Sequence, residues 1–259
     1  MKFENAVKYL LKARGSILIC LSLVFSYFYL SGGAHYIPQE SLAALAFSRY
    51  APHNIVFHTL IHTGLYHLLA NLTTLFLFAL VVELSLGALD VFLIFLVSES
   101  LAAALFIALN PDVAMVGASA GISGLLGAAL TVNLKRGLAA VLIAAVLAQF
   151  LLGPLLTMGL AGYVADTGKK AIALNQAVKD AEAGGDLEKA EEKRTELETV
   201  EKEYENFESG RQFEVQTTTD AWVHGYGAVF GILYVFLFRR EKFIKSIELV
   251  HSFLGKIRQ

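Results

Sequence analysis

The chain predicts an all-α membrane bundle of six transmembrane helices, with an extramembrane helical hairpin between the fifth and the sixth. Three observations predict it. Of 259 residues, 56% are hydrophobic and only 17% charged, whereas a soluble domain carries about a quarter charged residues; mean hydropathy is +0.57. Six apolar runs recur, at 15–33, 65–82, 91–109, 119–134, 138–163 and 219–238, most of them near the eighteen or so residues that cross about 30 Å of hydrocarbon. One stretch, 164–216, breaks the pattern with eight Lys/Arg and fourteen Asp/Glu, a net charge of −6. Inside lipid the runs must be helical, because backbone groups find no water there.

The elements follow in order. Residues 1–163 hold the first five spans, 164–216 the charged insert, and 217–259 the sixth span with a basic tail. The first run follows Lys2, Lys8, Lys12 and Arg14. It is long for a signal peptide, and Ser31-Gly32-Gly33-Ala34 is a poor cleavage site, so it is read as a retained span. Lys135 and Arg136 separate spans four and five, and Arg239, Arg240, Lys242 and Lys245 follow span six. These basic sites share one side if both termini are cytoplasmic. The turn from Glu83 to Asp90, also inside, lacks Lys and Arg. A multi-pass protein of a bacterial inner membrane is expected. Net charge, −2, selects no partner, and nothing points to nucleic acid. Cys20 is the lone cysteine, which excludes an intrachain disulfide.

In the insert, Leu187 to Phe207 is rich in Glu, Lys, Ala and Leu, which favour helix. Gly184-Gly185 ends an earlier helix over about 170–183. Leu187, Ala190, Leu197, Val200, Tyr204 and Phe207 form a thin apolar stripe, so a helical hairpin standing above the membrane is predicted.

Candidate chemistry lies at the outer ends of three spans. Ser119 opens 116–128, VGASAGISGLLGA, and His224 opens 223–231, VHGYGAVFG. Ser119 stands 16 residues before Lys135, His224 15 before Arg239, and His67 16 before Glu83. At 1.5 Å per residue all three lie roughly 22–24 Å above the inner boundary. A serine and a histidine at one level can form a nucleophile if Oγ and imidazole meet at about 2.6–3.2 Å. Gly117, Gly121 and Gly124 with Gly227 and Gly231 are the small residues that let two helices come that close. His67 and Asn71, four apart on one helical face, can donate with the Ser119 N–H to a developing oxyanion. His58 and His62 are also four apart, but no HExxH or cysteine set accompanies them. No metal is expected, and His62 is read as a hydrogen-bonding partner of the outer loop. Glu99, mid-span, is read as bonded to a neighbouring helix, nearer the bilayer centre than Ser119.

Taken together, HTGLYHLLAN (62–71) with Glu83-x-x-x-Gly87, GASAGISGLLGA (117–128) and HGYGAVFG (224–231) resemble the rhomboid family of intramembrane serine proteases. The resemblance implies a six-helix rhomboid-like bundle, a Ser119–His224 dyad without a third acid, oxyanion donation from His67 and Asn71, no cofactor, and single-span membrane proteins as substrates, cut near the outer membrane boundary. The chain departs from the family pattern at Ala120, where Gly is usual after the serine, and at His53-Asn54, where Trp-Arg is frequent. Val223 replaces the usual Ala, Ser123 replaces an aromatic, and the insert is long. The alternative is a non-catalytic relative that binds membrane helices; such relatives generally lack the serine or the histidine. The resemblance leaves the oligomeric state open.

Overall fold

The computed structural model describes residues 12–33, 36–216 and 221–257. It is helical, with isolated bridges and no named strand among those residues. Helix α1 spans Arg14–Ser31 and ends at Gly32, whose φ of 60° suits glycine. A short helix α2, Gln39–Leu45, and two 3₁₀ turns, Pro52–Ile55 and Phe57–Leu60, make the outer loop. Then come α3, Leu65–Leu86, and α4, Ala88–Leu109, joined through Gly87. Helix α5 is Ser119–Val132 and α6 is Leu134–Leu147, a π-turn occupies Ala148–Leu152, and α7 runs Gly153–Ala183. The chain closes with α8, Leu187–Gln216, α9, Ala221–Phe238, and α10, Arg240–Ile257.

Five helices are long and apolar enough to cross a membrane: α1, α3, α4, the continuous rod 134–183, and α9. Helix α5 differs from the expected sixth full span. Its 14 residues rise only about 21 Å, short of the hydrocarbon thickness. Asn133 separates it from α6, its side-chain oxygen accepting from the Arg136 N–H at 3.1 Å and capping the next helix. α5 is the hub of the bundle. Ala120, Gly121, Gly124, Leu125, Gly127, Ala128 and Ala129 are all buried, and α3, α4, α6 and α9 pack around them. By contrast α6 buries only Gly137, Ala140 and Ala144. The π-turn precedes Pro154, whose ring would strike the carbonyl four residues earlier in a regular helix; the wider turn relieves that clash.

Two polar locks hold the end of the bundle away from Ser119. Glu83, at the end of α3, accepts from the Gly15 and Ser16 N–H groups at 2.8 and 2.9 Å and from the Ser16 hydroxyl at 2.6 Å. It thereby satisfies the first amides of α1 from outside that helix. Asp90, buried at the start of α4, accepts from Arg239 Nε and Nη2 at 2.9 and 3.0 Å and from the Tyr234 hydroxyl at 2.9 Å. The inner turn without its own basic residues therefore borrows Arg239 from the end of α9.

The insert is a helical hairpin, with one difference from expectation. Its first arm is no separate helix over 170–183 but the uninterrupted continuation of the fifth span. Gly185, at φ 74°, makes the turn, and Asp186 caps α8 by accepting from the Lys189 N–H at 3.1 Å. Leu174, Val178 and Ala181 on the first arm and Ala190 and Val200 on the second are buried, and the two arms pack along each other. At the far end of α8, Phe207 lies against Tyr163 and Tyr36, ring centroids 4.7 and 5.2 Å away. The hairpin thus docks on the outer loop, where Tyr36 bridges Gly64 at the head of α3.

Candidate active site

The outer loop and the segment before α5 are stitched together. Phe47 and Met115 exchange N–H···O bonds of 2.9 and 2.8 Å, and the Gly117 N–H donates to the His58 carbonyl at 2.9 Å. Asn54, at the position where the family often has Arg, is buried and donates Nδ2 to the Ala44 and Ala46 carbonyls at 3.0 and 3.1 Å. These bonds fix the approach to Ser119, the first residue of α5.

Gly117 is not a helix-packing glycine. It precedes α5 at φ 112°, where a side chain is strained, and a Cβ there would stand 3.1 Å from His67 Cε1. The ring of His67 therefore lies on the backbone two residues before Ser119. Gly121 packs against the backbone of Phe95 on α4, not on α9. The remaining glycines do join α5 to α9. A Cβ on Gly227 would meet the Ala120 carbonyl oxygen at 2.1 Å, and one on Gly231 the Gly124 carbonyl at 1.9 Å. Conversely a Cβ on Gly124 would reach the Gly227 carbonyl at 3.3 Å, and one on Gly127 the Ala228 carbonyl at 2.3 Å.

These contacts advance together along both helices, so α5 and α9 run parallel. Gly227 is numbered 107 above Ala120, and Gly227 is 103 above Gly124. In a helix Cβ leans toward the N-terminus and the carbonyl toward the C-terminus, so the true axial register lies between, at an offset of about 105. Adding 105 to 119 gives 224: Ser119 and His224 stand at one height on touching helices. His224 is one turn before Gly227 and shares its face. His224 also lies within electrostatic reach of His67.

Asn71 is buried one turn below His67 on α3, and its Nδ2 meets no hydrogen-bond acceptor among the described residues. The Ser123 hydroxyl, where an aromatic was noted in the family, donates to the Ser119 carbonyl at 2.9 Å. Among the two neighbouring histidines the expectation is reversed. His58, not His62, bonds the outer loop, with Nδ1 3.1 Å from the Asn54 carbonyl. His62 has neither ring nitrogen bonded among the described residues, and its ring meets that of His67 edge-on at 5.1 Å. Glu99 does bond a neighbouring helix, as expected, but within a turn of Ser119: its Oε2 accepts from the Gly121 N–H at 2.6 Å, and its Oε1 lies 3.2 Å from His58 Nε2. The sequence carried no signal for that partnership, since His58 and Glu99 are 41 residues apart.

Burial first, and the nearby His67 second, push His62, just before α3, from 6.5 down to about 3. The folded state keeps it neutral. Its stabilising contribution is complete above the unfolded value near 6.5 and is lost as pH falls toward 3, because only the unfolded chain takes up the proton. Thermal denaturation in detergent should show a melting temperature that is flat above pH 7 and falls below pH 6, as stability drops by on the order of a few kcal/mol. His62→Phe should flatten that slope; an unchanged slope assigns it to other groups.

The fold and this cluster define a multi-pass α-helical membrane protein with polar side chains gathered at the start of a central helix. The family model of the Rhomboid domain matches residues 50–169, a stretch that includes His67, Asn71 and Ser119 and ends before α9. No curated protein and no solved structure matches the chain. The match covers 120 of the 259 residues and supports a likeness to the rhomboid family.

Proposed function

We propose that the chain is an intramembrane serine endopeptidase. The observation that carries the reading is the parallel, glycine-mediated register of α5 and α9, with its offset of about 105 residues. His224 takes the proton from the Ser119 hydroxyl, and the alkoxide attacks a peptide carbonyl. His67, Asn71 and the Ser119 N–H donate to the oxyanion. His224 then returns the proton to the leaving amine, and water hydrolyses the acyl-enzyme. On this reading α5, short of the hydrocarbon thickness, starts below the outer surface, and the chemistry lies within reach of water from above. Substrates are single-span membrane proteins whose helix unwinds near the outer boundary, because an intact helix hides its carbonyls in hydrogen bonds. The basic residues flanking α1, α6 and α9 favour cytoplasmic termini, and a bacterial inner membrane is the proposed location.

A fluorophosphonate probe, which reacts with an activated serine hydroxyl, tests this on detergent-purified protein. We expect stoichiometric labelling of Ser119, found by peptide mass, and none in Ser119→Ala. A folded protein that stays unlabelled at Ser119 would assign the chain to the non-catalytic relatives.

A further inference from the structure

Glu99 has no part in the chemistry just described, yet it is 1% exposed and sits in an apolar helix. Its contacts meet at the nucleophile. The carboxyl accepts from the Gly121 N–H through Oε2 and faces His58 Nε2 through Oε1, and the backbone carbonyl of His58 receives the Gly117 N–H. One linked pair therefore holds both ends of the five residues centred on Ser119. His58 is itself fully buried and anchored to the Asn54 carbonyl.

The first amides of a helix lack partners, and a side chain at the N-cap ordinarily takes the third. Ala118 offers no such acceptor, and Glu99 from α4 takes the third amide, Gly121, in its place. Among the described residues no side-chain cap takes the amides of Ser119 and Ala120.

We propose that Glu99, held by His58, is a positioning residue: it fixes the backbone from Gly117 to Gly121 so that the Ser119 hydroxyl and the first amides of α5 keep their reactive geometry. This rests on the serine-protease reading. The test compares Glu99→Gln, Glu99→Leu and Glu99→Ala in the full-length protein. It reads the second-order rate of phosphonylation per folded molecule, the reversible affinity for a substrate peptide, and amide exchange at residues 117–122. Gln accepts from Gly121 with its oxygen and donates to His58 Nε2 with its amide, so its rate should stay within about fivefold of the parent. Leu fills the space but accepts nothing. With it, as with Ala, we expect phosphonylation slower by about fiftyfold, affinity changed by less than about threefold, and faster exchange at Gly121. A merely structural role would lower the folded fraction without changing the rate per folded molecule. If Glu99→Leu reacts like the parent, or exchange at Gly121 does not change, the positioning role is overturned while the protease reading stands. If the parent protein itself is not labelled at Ser119, both fall, whatever the exchange shows.

Discussion

Gly231→Ala should separate the two central helices and, on the serine-protease reading, slow proteolysis by about a hundredfold. The added Cβ would lie 1.9 Å from the Gly124 carbonyl oxygen, with backbone on both sides and no flexible side chain to yield. Relief requires α9 to move off α5 by more than 1 Å. Overpacking of this kind costs about 1–3 kcal/mol, and a displacement of that size costs about a hundredfold in rate when it falls between reacting groups. Gly227→Ala, 2.1 Å from the Ala120 carbonyl, should act more severely on rate, since it lies one turn from His224. Gly225 supplies the control on the same helix. A Cβ there meets nothing within 4 Å, so Gly225→Ala should leave stability unchanged or raise it by up to about 1 kcal/mol through helix propensity. Thermal denaturation in detergent, with cleavage of a membrane-embedded reporter, distinguishes the outcomes. Equal tolerance of Ala at 225, 227 and 231 would contradict the parallel register of α5 and α9.

Ser119→Ala and His224→Ala should each reduce reporter cleavage by about 10⁴-fold or more, and the double variant should be no slower than either single one. Residues that act as a unit are non-additive in this way: once the nucleophile is gone, the base has nothing to activate. Neither side chain is buried deeply enough for its loss to unfold the protein, as both are partly exposed. The melting temperature should therefore hold within a few degrees. Singles that multiply in the double variant would show that the two residues act separately. Cleavage at the parent rate by either single variant would remove that residue from the mechanism.

Composition and periodicity settled the class of protein and the placing of its apolar helices. Those signals are local: a run of apolar residues in lipid has no stable alternative to helix. The hairpin turn was equally legible, because Gly184-Gly185 interrupts two helix-forming stretches. Equal spacing from charged boundary residues put His67, Ser119 and His224 at one level. Spacing along a helix converts directly into height.

What the sequence could not settle was lateral. Gly117 and Gly121 read as members of one packing stripe with Gly124, yet Gly117 meets His67 and Gly121 meets α4. Glycine spacing shows that something comes close without showing what. His62 and His58 differ in role although both sit in one HxxxH spacing, because only His58 finds a carboxylate, 41 residues away. Arg239 on Asp90, 149 residues apart, and Phe207 on Tyr36 are likewise products of folding. The sequence by itself placed His67, Ser119 and His224 at one level along their helices, through the rise per residue, but not Glu99, which was expected nearer the bilayer centre and instead bonds Gly121 beside Ser119. Only the tertiary structure decided which groups face one another, because azimuth depends on how six rods pack, and a linear spacing carries no record of that.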